Sequence, residues 1–158
     1  MAKDIVIEEL SVLIPGVDVQ KIKKQQYAFE VTNFELIKVL VLLKNAGYSH
    51  LSVMTVVDWI KENEFELDYL VWSYEKKIQL IVKTRIDRKT AEFDTIKNLW
   101  PTAESYEREI FESFGINFRG NDNHKPFVLE DWKGIPPMRK DFDIDVYSRK
   151  KFEGRKYE

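Results

Sequence analysis

Cysteine is absent from this 158-residue chain, which removes disulfides, thiolate nucleophiles and the thiolate ligands of iron–sulfur clusters and most structural zinc sites. Redox chemistry near this chain therefore belongs to another polypeptide. His50 and His124 are the only histidines, and neither has a companion at metal-ligand spacing. Each reads as a strand-edge or loop residue. Among the six glycines, Gly115 and Gly120 match neither a P-loop nor a dinucleotide fingerprint. Long hydrophobic runs are also missing: the longest, Val39 to Leu43, is far short of the roughly 20 residues that span a bilayer. The start, MAKDIVIEEL, carries acids where a secretory signal needs a basic stretch, so no membrane insertion is expected. With 25 basic residues against 27 acidic ones, no global field grips phosphates, which disfavours a general nucleic-acid binder.

What the chain does contain is enough apolar matter for one domain, 44% of residues, with aromatics at 13%. Apolar positions from Asp4 to Ile14, stopped by Pro15-Gly16, predict a short helix, and Tyr27 to Val31 a short strand. Thr32 with Glu35 three residues on forms a capping box, and Gly47 offers the left-handed residue that ends a helix. Between them Leu36, Val39, Leu40 and Leu43 share one helical face.

The period then changes to two. Leu51–Val57, Phe65–Trp72 and Lys77–Ile86 predict strands, with Phe65, Leu67, Tyr69 and Val71 on one face. The short polar connections suit an antiparallel meander. A third helix follows, capped by Thr102, running through Phe114 and closed by Gly115, with Tyr106, Ile110, Phe111 and Phe114 as its apolar side. The predicted fold class is α+β: a mostly antiparallel sheet of about four strands packed with helices over residues 1–115.

Residues 116–158 show neither period. Prolines and glycines punctuate them, yet Phe118, Trp132, Phe142 and other large apolar residues recur, unlike a disordered tail. Structureless loops of more than about 15 residues are uncommon inside a compact domain. The reading that satisfies both facts is an extended C-terminal arm that orders against a partner.

Glu107, Arg108 and Glu109 resemble paired carboxylates around an arginine, but adjacent helical positions point about 100° apart, so a solvated face or an intersubunit salt bridge is expected. A small hydrolase using Glu107 or Glu109 with His124 lacks any pocket-building motif. An RNA-binding domain needs stacking rings beside Lys77, Lys83 and Arg85, where Gln79 and Ile81 stand instead. Arg139, Lys140 and Asp141, after the stiff Pro136-Pro137 and downstream of Asp131-Trp132, have the composition of an interface anchor. The end from Ser148 to Glu158, with five basic residues against two acidic ones, reads as a solvated tail.

The stretch Tyr106 to Gly120 (YEREIFESFGINFRG) and then Leu129 to Phe142 (LEDWKGIPPMRKDF) resembles the 30-kilodalton subunit of respiratory complex I, also known as the C subunit of NADH dehydrogenase. His50 to Asp58 (HLSVMTVVD) and the two strands after it extend the resemblance over most of the chain. Between Gly120 and Leu129, and at Asp143, the chain departs from the respiratory pattern, which brings in the related subunit of membrane-bound energy-converting nickel–iron hydrogenases.

The resemblance implies a non-catalytic, cofactor-free subunit on the cytoplasmic face of the cell membrane, within the peripheral arm of such an oxidoreductase. It would pack on the large hydrogenase-like, 49-kilodalton type subunit beside an iron–sulfur subunit. Iron–sulfur clusters, and nickel–iron, flavin or quinone, would then sit in partners, with no catalytic, cofactor or metal residue here. The residues expected to bind a partner are Glu107, Arg108 and Phe118 around the aromatic helix. In the arm they are Asp131, Trp132, Pro137, Arg139, Lys140, Asp141 and Phe142.

Overall fold

The computed structural model describes residues 4–123 and 125–152. Helix α1 covers Ile5–Leu13, and its N-cap Asp4 accepts the Val6 N–H at 3.2 Å. A hairpin of β1 (Gln20–Lys23) and β2 (Gln26–Glu30) leads into α2 (Leu36–Asn45). The strands β3 (His50–Trp59), β4 (Glu64–Ser73) and β5 (Ile78–Asp87) form the expected antiparallel meander. After β6 (Glu92–Asp94) come α3 (Ala103–Phe114), β7 (Asn117–Arg119) and α4 (Ile144–Phe152).

The main sheet has five strands in the order β1-β2-β5-β4-β3, and β2 runs parallel to β5. This corrects the four-stranded antiparallel expectation. From β2 the chain crosses through α2 to the far edge, and the meander then returns β5 to lie beside β2. Such a long-range parallel pairing follows from the crossover and leaves no trace in local periodicity. The helix α2 also begins later than its capping box suggests. The Thr32 hydroxyl donates to the Glu35 carboxylate at 2.7 Å, so the two side chains satisfy each other instead of the helical N–H groups, and Glu35 becomes the N-cap.

Alternation along the strands sends Phe65, Leu67, Tyr69 and Val71 of β4 and Leu80, Val82 and Ile86 of β5 inward, against Leu36, Val39, Leu40 and Leu43 of α2 and Ile110 of α3. Burying one such large side chain stabilises by roughly 1.5–3 kcal/mol, so this layer carries the fold. The opposite sheet face holds charge: Lys83 and Arg85 pair with Glu66 at 3.2 and 3.3 Å, and Arg85 lies over the Trp59 ring.

The first residues of the expected C-terminal arm pack on the domain. Ile116 and Phe118 are fully inside the core, and β7 pairs in parallel with β6 as a second small sheet. Gly115 makes the return possible in two ways. It adopts φ +76°, closing α3, and a Cβ there would meet Pro136 Cγ at 3.0 Å. Residues 125–143 then run back along α3 and the end of β3 without helix or strand, and α4, which has no buried residue, follows.

Candidate docking surface

Glu107, Glu112 and Asp58 are among the carboxylates that hold the chain after α3 to the domain, and each is placed by the element that carries it. On α3, Glu107 falls on the same side as Ala103 and Ile110, so it points inward and is 1% exposed. There it accepts hydrogen bonds from the Thr95 hydroxyl at 2.6 Å, the Ile96 N–H at 2.8 Å and the Asn121 amide at 2.8 Å. The solvated face expected for Glu107 is thus an internal joint between α3, the segment after β6 and the segment after β7.

Further along the helix, Glu112 accepts the backbone N–H groups of Phe127, Val128 and Leu129 at 3.0, 2.9 and 3.0 Å. Burial pushes its acidity toward the neutral form, but those N–H groups and the Arg108 charge outweigh it, and its pKa lies below the usual glutamate value. Arg108 itself rests over the Phe127 ring, 4.8 Å from its centre.

The third carboxylate is Asp58, in phase with Met54 and Val56 on the inward side of β3. Its two oxygens take Arg88 Nε at 2.7 Å and Nη2 at 3.1 Å, and Oδ2 also accepts the Lys140 backbone N–H at 2.8 Å. Arg88 reaches on to Asp141 at 2.8 Å, and Asp141 accepts from Arg139 at 3.1 Å. Both guanidinium groups lie over Phe65, 5.4 and 5.5 Å from the ring centre. Burial raises the Asp58 pKa, but Arg88 and the Lys140 N–H more than offset it, so the carboxyl stays below the ordinary aspartate value. The Met138 N–H, bonded to Ser113 O at 3.0 Å, adds a further tie.

These ties leave apolar side chains facing outward. Val128 is 72% exposed and Met138 61%, with Phe127, Ile135, Ile144 and Val146 also open. Between α3 and the returning chain lies a groove of about 440 Å³ lined by Phe111, Leu129, Trp132 and Pro136 among others. Trp132 stacks on Tyr147 at 4.5 Å and meets Phe142 at 5.5 Å. Through Tyr147 that aromatic cluster meets α4.

Residues 29–148 match the family model described as the respiratory-chain NADH dehydrogenase 30 Kd subunit. The chain belongs to this family. Individual relatives of the 30-kilodalton subunit agree. The chain is 31% identical to the C subunit of NADH-quinone oxidoreductase from Moorella thermoacetica over 141 residues, 89% of this chain and 95% of that one. It is 34% identical to the C subunit of F(420)H(2) dehydrogenase from Methanosarcina mazei over 97 residues, which is 61% of either chain. Among solved structures, a chain of the membrane-bound sulfane sulfur reductase, an archaeal respiratory membrane complex, superposes with a TM-score of 0.87 at 31% identity, covering 97% of this chain and 93% of its own length. Family members are thus subunits of membrane-bound, complex-I-like assemblies. Among the described residues here, no helix is long and apolar enough to cross a membrane.

Of the residues singled out from the family signature, Glu107 and Phe118 face the interior and serve as framework. Arg108, Trp132, Pro137, Arg139 and Phe142 are half-buried, and Lys140 and Asp141 are exposed. Asp131 is exposed as well and takes φ +52°, a left-handed turn that aspartate tolerates better than most residues. His124 lies outside the described residues. Sequence reasoning did not single out Asp58, Arg88 or Glu112. The first had a legible signal, since an acid in phase with the buried side of a strand requires a cationic or hydrogen-bonding partner.

Proposed function

We propose that this chain is a non-catalytic structural and assembly subunit of the peripheral arm of a complex-I-like membrane-bound oxidoreductase, of the NADH:quinone or the energy-converting hydrogenase type. It docks on the large hydrogenase-like, 49-kilodalton type subunit beside an iron–sulfur subunit, on the cytoplasmic side of the membrane. The iron–sulfur clusters, and any nickel–iron, flavin or quinone, belong to those partners.

The observation that carries this reading is the run of outward apolar residues from Phe127 to Val146, displayed on a backbone that its own domain holds in place. Contiguous exposed apolar surface on a small domain marks an interaction site. A segment already ordered before binding loses less entropy on association. Trp132, Pro137, Lys140, Phe142 and Arg108 are the members of the predicted set that line this face.

The hydrolase and RNA-binding readings gain nothing comparable. The Glu107 carboxylate is saturated inside the core, and Lys83 and Arg85 are committed to acidic neighbours on the sheet face. The test is capture of the purified large subunit by this chain, compared with a chain carrying Trp132→Ala and Met138→Asp. Strong capture by the first and loss in the second support docking. Equal capture by both, or none by either, would overturn it.

A further inference from the structure

Asp58 is 3% exposed and cannot touch another protein, yet it holds the part of the chain that faces one. Between Pro136 and Phe142 there is neither helix nor strand. The backbone of this segment is tied to the domain by the Met138 N–H on Ser113 O and the Lys140 N–H on Asp58. Its side-chain tie is Asp141 on Arg88, which is itself fastened at two points to Asp58. The group is also electrically closed: the negative charges of Asp58 and Asp141 meet the positive charges of Arg88 and Arg139 within 3.1 Å.

We propose that Asp58 and Arg88 are positioning residues for docking, holding Pro136–Phe142 in the shape a partner recognises and absorbing Arg139 and Asp141 so that an apolar face meets it. The inference rests on the docking reading above and names its chemistry. With the neighbouring charges consumed internally, Ile135 and Met138 are the groups presented, and they fit an apolar patch of another subunit, with Lys140 at the rim. A partner that binds the ordered segment loses affinity for any fraction of molecules in which it is detached, because apparent affinity scales with the competent fraction. Detaching nine molecules in ten therefore weakens binding about tenfold without removing any contact.

The experiment uses full-length chain and the detergent-solubilised complex prepared from cells that lack it. Three forms are compared: wild type, Asp58→Asn, and Leu40→Ala. The last opens the core at a fully buried α2 residue and leaves Asp58 and Arg88 in place. Amide exchange at residues 136–142 and affinity for the stripped complex are both read. For Asp58→Asn, faster exchange there and roughly tenfold weaker binding are expected, with residues 136–142 quickening more than β4 and β5. Leu40→Ala should quicken exchange throughout β4 and β5 and still bind like wild type, a separation that loss of general stability does not predict.

If wild type fails to bind, the docking reading itself falls. If wild type binds and Asp58→Asn binds equally well, whether or not exchange rises, the positioning role is overturned while docking stands. Binding by Leu40→Ala as weak as that of Asp58→Asn overturns it in the same way.

Discussion

Asp58 and Arg88 meet in a two-point ion pair beneath Phe65, with Nε on Oδ1 at 2.7 Å and Nη2 on Oδ2 at 3.1 Å. Side-chain exposures of 2% and 9% leave little room for water to replace either partner. The pair closes one end of the main sheet and is the point at which the returning chain is fastened.

Removing one member should therefore cost far more than a surface pair would. Asp58→Ala leaves the Arg88 guanidinium with Asp141 alone and the Lys140 N–H without its acceptor, and the expected loss is about 3–5 kcal/mol of unfolding free energy. Urea denaturation of wild type and variant measures it, and a loss under about 1 kcal/mol, the value of an exposed pair, would contradict the buried assignment.

The acid response has two opposite contributions. Burial, assisted by Glu66 and Glu30 and opposed by Lys83, pushes Asp68 up to about 6. A carboxyl that holds its proton longer when folded weakens the fold as pH rises from the unfolded value of about 4 through about 6, so Asp68→Asn should be more stable than wild type at pH 7 and lose that advantage below pH 4. Asp58, lowered from 3.8, works the other way: its contribution is complete above that value and is lost as pH falls through its depressed folded pKa. Thermal melts of both proteins from pH 3 to pH 7 separate the two, and an Asp68→Asn advantage that does not shrink on acidification would count against the first.

Gly115→Ala should lower stability by about 1–2 kcal/mol from the left-handed φ alone. The added Cβ also presses on Pro136 at 3.0 Å, so amide exchange at residues 136–138 should quicken with it. A neutral melt would mean that the helix end relaxes without strain.

Glu112→Gln removes the carboxylate that gathers three N–H groups. Protection of the Phe127, Val128 and Leu129 amides should fall while that of β4 and β5 is unchanged, because the contact is local and the core is untouched. Hydrogen exchange resolved to single amides checks this directly, and unchanged protection would show that the segment is held elsewhere.

In binding to the large subunit, Trp132→Ala should cost on the order of 2 kcal/mol or more, since it removes one wall of the groove and the ring that stacks on Tyr147. Lys140→Ala should cost under about 1 kcal/mol, the scale of a rim charge. A calorimetric titration of both variants giving equal losses would argue against an apolar anchor.

By itself the sequence determined what depends on neighbours a few positions away. The inward stripe of α2, the alternation of β3, β4 and β5, the aromatic side of α3 and its left-handed end at Gly115 are all local patterns. The signature from Tyr106 to Phe142 carried the family, because an ordered run of unusual residues is specific whatever its structure. Only the tertiary structure decided which partners the polar residues would find. The parallel pairing of β2 with β5 depends on where α2 deposits the chain, and the burial of Glu107 on Asn121 and Ile96 depends on two segments outside its helix. The hydrogen bond from Lys140 to Asp58 joins residues 82 positions apart. Periodicity reports which side of an element faces the core, whereas a buried charge is stable only with a counterpart, and the distance along the chain to that counterpart leaves no mark in the pattern.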